Sequence, residues 1–247
     1  MIFGSRNNEE KSQDRFLYEK DRLALTALVM EMGSRAEEAF RDAVRALEER
    51  DSELAQRVLD GDDVIDELEV DAELECLRSI GMRQPVREDL RFAFSVLKIV
   101  TDLERIGDEA SNIAERALWL NRRPLLKPLV DIPRMRDIAA LMLGQALESF
   151  EKGNAALAEV VFRADDEMDR LYHSIFDELL GIMAGPAQGN PDALLSATAL
   201  LAVARHLERI GDHSVNIAER AYFMVTGRRL KKVLREAGEK PSPPFIR

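Results

Sequence analysis

Carboxylates at helical spacing are the residues of this chain best suited to chemistry. Glu104, Asp108, Asn112 and Glu115 follow one another at steps of 4, 4 and 3 residues. At about 100° per residue they share an arc of roughly 80° on an α-helix. Glu208, Asp212, Asn216 and Glu219 repeat the arrangement. Upstream, Asp62, Asp66, Glu69 and Glu73 cover an arc of about 60°. Asp165 and Asp169 begin the same series, but Tyr172 and Phe176 stand at its next two places.

Carboxylates one turn apart repel, costing a helix about 0.2–0.5 kcal/mol per pair. A cation between them removes that cost. Carboxylate and amide oxygens suit hard or borderline ions: Mg, Ca, Mn, Fe or Zn. On these residues alone, a solvated acidic face is the alternative. A buried di-iron centre fits less well. It draws on Glu-x-x-His pairs, and none of His173, His206 and His213 has a Glu three residues before it. His173 follows Asp169 by four and is a candidate addition to the second site, against the plainer reading of a surface histidine. Arg105, Arg116, Arg209 and Arg220 flank the acidic arcs and are expected to pair with neighbouring carboxylates. The chain contains no Walker-type loop, nucleophile elbow or Gly-x-Gly-x-x-Gly, which argues against an enzyme.

These faces require long helices, and the prolines mark where the helices end. None occurs before Pro85; the others are Pro124, Pro128, Pro133, Pro186, Pro191, Pro241, Pro243 and Pro244. Six helices follow. They run from about Phe16 to Arg50, Ser52 to Ile80, Val86 to Asn121, Pro133 to Lys152, a fifth ending near Ala184, and Pro191 to Thr226. Asp51-Ser52 supplies a turn and N-cap, Gly81 a C-terminal stop, and Gly153-Asn154 and Gly227 further ends. Short loops make neighbouring helices antiparallel.

The chain repeats itself. LERIGDEASNIAERA (Leu103–Ala117) recurs as LERIGDHSVNIAERA (Leu207–Ala221), 12 of 15 positions identical at an offset of 104. Asp62, Asp63, Asp66 and Leu68 match Asp165, Asp166, Asp169 and Leu171 at an offset of 103. The predicted fold is therefore all-α, a tandem duplication giving two pseudo-symmetric three-helix bundles. They span 16–123 and 131–228, with flexible tails at 1–15 and 236–247. Opposite the acidic arc, Leu103, Ile106, Ala110, Ile113, Ala114 and Ala117 form the core face. Gly107 and Gly211, at equivalent mid-helix places, predict close helix approach.

Composition agrees. Of 247 residues, 33% are charged and only 6% aromatic, a balance that suits charged helices rather than a sandwich or barrel. A net charge of -11 argues against sequence-independent nucleic-acid binding. The one cysteine, Cys76, excludes an internal disulfide framework and a cysteine-based zinc site. No targeting or spanning segment is legible, so the expected location is the cytoplasm, with membrane contact only through partners.

The paired LERIGD…NIAER segments, each preceded by an Asp-x-x-x-Asp helix, closely resemble the PhoU family of phosphate-specific transport accessory proteins. ALVMEMGSRAEEAFRDAVRALEERDSELAQRVLDGDDVIDELE and RQPVREDLR also look like that family's first hairpin and its turn into the third helix. The resemblance covers roughly residues 16 to 228. It implies surface metal clusters held by Glu104 with Asp108, Glu208 with Asp212, Asp62 with Asp66, and Asp165 with Asp169. Asn112, Glu115, Asn216 and Glu219 would extend those faces. Tyr172 and Phe176 depart from the symmetry and put equal metal content in doubt. The resemblance also implies negative regulation of phosphate uptake and starvation signalling, through the phosphate-transporter ATPase and a sensor histidine kinase, and a homodimer. An iron-storage or redox protein on a helical scaffold is the competing function.

Overall fold

A computed structural model describes the backbone of residues 3–185 and 187–237, with side chains from Tyr18 onward, Pro186 apart. Eight helices and no strand occur among the described residues. They are α1 (Phe3–Glu48), α2 (Ser52–Asp60), α3 (Asp62–Arg83), α4 (Glu88–Leu120), α5 (Asp131–Lys152), α6 (Ala155–Ala184), α7 (Pro191–Thr226) and α8 (Leu230–Glu236). α1, α2–α3 and α4 pack as one three-helix bundle, and α5, α6 and α7 as the other.

Local chemistry sets most ends as expected. The Asp51 carboxylate accepts from the Leu54 amide at 2.9 Å and caps α2. Asn154 and Asn190 cap α6 and α7 in the same way. Gly153 and Gly227 end α5 and α7 at φ 61° and 69°, where a Cβ would be strained.

Four details differ from the sequence reading. The expected second helix is two, because the chain bends at Gly61, whose amide is shared between the Arg57 and Val58 carbonyls. Gly81 ends nothing. α3 continues to Arg83, whose Nε lies 3.2 Å from the Asp21 carboxylate of α1. Gln84 takes the left-handed turn (φ 48°) before Pro85 stops the helix. α1 starts at Phe3, so the expected N-terminal tail is helical from there. α8 was not anticipated; it buries Leu230 and Leu234. The expected tail beyond Ala237 lies outside the described residues.

Each bundle runs up, down, up. Ile65 lies against Gly107, and Cys76 against the Ala93 carbonyl, so α3 and α4 are antiparallel. Met168 against Gly211 and Tyr172 beside Arg205 place α6 on α7 likewise. Both glycines therefore sit at close helix crossings. The core face of α4 is as predicted: Leu103, Ile106, Ala110, Ile113, Ala114 and Ala117 are all fully buried.

The bundles join along α4 and α7. Arg91 and Ser95 donate to the carbonyls of Met224 and Arg220, Asp102 meets His213, and Glu109 meets His206. Numbers rise on α4 as they fall on α7, so these helices are antiparallel, as a pseudo-twofold between repeats requires. α5 adds a second seam against α1, with Leu147 packed over Gly33 and Arg136 paired to Glu48.

Candidate functional site: two acidic helix faces

Antiparallel packing of α3 on α4 brings the first two acidic stripes together. Burial pushes the Glu104 carboxyl up to about 7, reinforced by the charge of Asp108 and then of Glu69 and Asp66. Asp62 is likewise raised by burial, with Asp66 and Asp108 adding to it. Glu69 is raised by burial and by Glu73 and Asp66. Asp62, Asp66, Glu69, Glu104 and Asp108 thus form one electrostatic cluster drawn from two helices.

The second bundle repeats it. Burial drives Asp165 to about 7, with Asp169 and Asp212 contributing. Glu208 also rises to about 7, first by burial and then through Asp212. Asp169 is raised by burial and by Asp212, while nearby His173 opposes the shift. Tyr172 and Phe176, which replace the next two acids, hold their ring centroids 6.5 Å apart at a tilt of 50°. The Arg205 guanidinium lies 5.8 Å from the Tyr172 ring. The second acidic stripe therefore ends in an aromatic patch.

The outer candidates behave differently. Asn112 donates its amide to the Asp108 carbonyl at 2.8 Å. Glu115 is exposed. Asn216 donates to Asp102 of the other bundle at 3.2 Å, leaving its Oδ1 for any ligand. Glu219 pairs with Lys231 of α8 at 3.1 Å. The inner four acids of each bundle come together; these four residues do not join them in the same way.

The flanking arginines divide. Arg105 pairs with Asp108 at 3.0 Å; Arg205, which the sequence reading did not name, pairs with Glu208. Arg209 instead crosses the bundle seam to Glu109 at 2.9 Å. Glu109 is 2% exposed and also meets His206 Nδ1 at 2.6 Å. Asp102 meets His213 Nδ1 at 3.0 Å. Sequence reasoning missed this seam. Its signal was present: Asp102 and His206 are repeat equivalents, as are Glu109 and His213.

A metal ion fits the donor chemistry of both clusters. Oε2 of Glu104 and Oε2 of Glu208, equivalent in the repeat, are buried and accept no hydrogen bond. Arg105 Nε stands 3.3 Å from the first. Unsatisfied buried carboxylate oxygens beside further carboxylates are what a divalent cation relieves. Among the described residues no three His, Cys, Asp or Glu side chains converge closely enough to hold an ion as they stand. Coordination would therefore need side-chain rotation to close the sphere.

A family model described as the PhoU domain matches residues 29–117 and again 132–221. The chain belongs to the PhoU family. Those two spans are the two bundles, and each holds one acidic cluster. The chain is 42% identical over 212 residues to the phosphate-specific transport system accessory protein PhoU homolog of Aquifex aeolicus, covering 85% of this chain and 94% of that protein. It is 40% identical over 214 residues to the homolog of Caulobacter vibrioides, covering 86% and 91%. The crystal structure of PhoU from Pseudomonas aeruginosa superposes with a TM-score of 0.80 at 36% identity, covering 85% of this chain and all of that one. The phosphate transport system regulatory protein PhoU from Streptococcus pneumoniae gives 0.78 at 27% identity, covering 86% and 99%. These relatives are named as accessory and regulatory proteins of phosphate transport. No helix among the described residues is long and apolar enough to cross a membrane.

Proposed function

We propose that this protein is a cytoplasmic negative regulator of phosphate uptake and phosphate-starvation signalling. It acts by contact, as an adaptor between the phosphate-transporter ATPase and a sensor histidine kinase. The observation that carries the reading is the double match of the PhoU domain, one copy on each bundle. The names of the Aquifex and Caulobacter relatives tie those proteins to the phosphate-specific transport system. Deleting the gene tests it. Phosphate-starvation genes should then be expressed when phosphate is plentiful; normal repression together with normal uptake would overturn the reading.

Metal binding belongs to the same proposal. Asp62, Asp66, Glu104 and Asp108 would hold cations in the first bundle, and Asp165, Asp169, Glu208 and Asp212 in the second. A bound ion would neutralise the cluster and tie α3 to α4, or α6 to α7. Glu69 and Glu73 lengthen the first stripe, so the first bundle should take more ions or hold them more tightly. Support comes from the repeat-equivalent buried oxygens of Glu104 and Glu208, which lack hydrogen-bond donors.

A further inference from the structure

We infer that the groove between α1 and α3 of the first bundle is a docking surface for a basic amphipathic helix of another protein. Val70, Leu74 and Leu77 follow at steps of 4 and 3 residues, one stripe of a helix. All three face solvent, at 53%, 59% and 61% exposure. Leu74 alone of the three also lines the groove beside the stripe, which α1 walls with the small residues Ala24 and Ala27 and half-buried Leu28. The groove is open to solvent and holds about 650 Å³. Small side chains opposite an exposed leucine leave room for an apolar side chain from outside.

The duplication supplies an internal comparison. At the offset of 103, Val70 and Leu74 correspond to His173 and Asp177, while Leu77 corresponds to Leu180. The second bundle thus has the same helix with a polar stripe. The fold does not require the apolar one.

Charge identifies the occupant. Apart from Asp62 and Asp66, α3 carries six carboxylates and two arginines. Both arginines are turned onto buried Asp21, Arg78 at 2.8 Å and Arg83 at 3.2 Å. Asp71, Glu75, Glu31 and Arg78 rim the groove; Arg78 also pairs with Glu75 and Arg35 with Glu31, and the rim keeps three acids to one cation. A second copy approaching through this face would set two acidic helices together, and an anionic bilayer would be repelled. A helix with leucine-like anchors and flanking Lys or Arg meets both the apolar floor and the acidic rim. The proposal rests on the adaptor reading only for the existence of a partner; it uses none of the eight cation candidates.

The test uses the full chain and a labelled helical peptide of about 18 residues, five turns. The peptide carries a leucine stripe flanked by Lys and Arg; a control peptide carries Glu in place of the cations. The basic peptide should bind at least about tenfold more tightly than the control. Val70→His with Leu74→Asp, which writes the second bundle's residues into the first, should lower its affinity by a similar factor. The single exposed change Leu74→Glu should do the same, and melting curves check that both variants fold. Absence of binding, equal binding of the two peptides, or full binding by folded variants would overturn the proposal. So would loss, in the variants, of self-association or of pelleting with phosphatidylglycerol vesicles, without any peptide effect. In cells the two proposals separate. A deletion without effect on phosphate repression defeats the adaptor reading alone, whatever the peptide does. A deletion that derepresses, alongside a peptide that does not bind, defeats the groove alone.

Discussion

Oε2 of Glu109 lies 2.6 Å from Nδ1 of His206, across the seam between the two bundles. The repeat equivalents of these residues, His213 and Asp102, make the mirror pair at 3.0 Å. Both acids are on α4 and both imidazoles on α7, so the two halves differ at both pairs of equivalent positions. The pseudo-twofold carries each pair onto the other with acid and imidazole exchanged between the helices. Glu109→Ala should destabilise the protein by about 1–3 kcal/mol, because it leaves His206 and Arg209 facing an empty buried place. A double-mutant cycle in urea with His206→Ala should show coupling above about 0.5 kcal/mol. Additive effects would mean the pair does not hold the seam.

Stability should fall as pH rises. Glu104, Asp165 and Glu208 sit near 7 in the folded protein because burial disfavours their charged forms. In the unfolded chain they titrate near the ordinary carboxylate values of about 4. Between those limits the folded state binds more protons, so unfolding free energy drops with increasing pH. The metal-free protein should melt at a higher temperature near pH 5 than near pH 8. Glu104→Gln with Glu208→Gln should flatten the dependence. A melting temperature that climbs steadily over this range in both proteins would contradict the assignment.

The two mid-helix glycines should respond differently to alanine. A Cβ at Gly107 would meet Ile65 at 3.0 Å, a stiff β-branched side chain in the core. At Gly211 the nearest atom is Met168 Cγ at 3.3 Å, on a flexible side chain. Replacing a helical Gly by Ala gains about 1 kcal/mol in propensity. Gly211→Ala should keep much of that gain. Gly107→Ala should lose it and cost about 1 kcal/mol more. Adding Ile65→Val, which removes the nearest atom, should recover part of the loss. Chemical denaturation of the three variants decides it, and a Gly107→Ala protein more stable than Gly211→Ala would be the wrong order.

How much of this was legible depends on the kind of signal. Helix ends carried by Pro, Gly and Asn were readable, because each acts through its own backbone. The acidic faces were readable because a fixed helical angle turns spacing into direction. The run of α3 past Gly81 was not, since Arg83 finds Asp21 some 62 residues away. The bend at Gly61 was hidden because its repeat counterpart, Ala164, lies inside an unbroken α6. The roles of Asn216 and Glu219 were set by Asp102 and Lys231, neighbours that only the packed helices reveal. The seam pairs were visible as differences within the repeat, but only the antiparallel crossing of α4 and α7 shows that those differences face each other.

The central claim is that each acidic face binds cations, and titration followed by thermal melting tests it most directly. The wild-type protein, Glu104→Ala with Asp108→Ala, and Glu208→Ala with Asp212→Ala would each be titrated with Mn or Zn ions. Saturation should stabilise the wild type by about 2.7 kcal/mol at a hundredfold excess over the dissociation constant of one site. Each double variant should lose the contribution of its own bundle and keep the other's, and the first-bundle variant should lose more. Identical melting shifts in all three proteins would mean that these carboxylates are a solvated face and that the ions bind elsewhere.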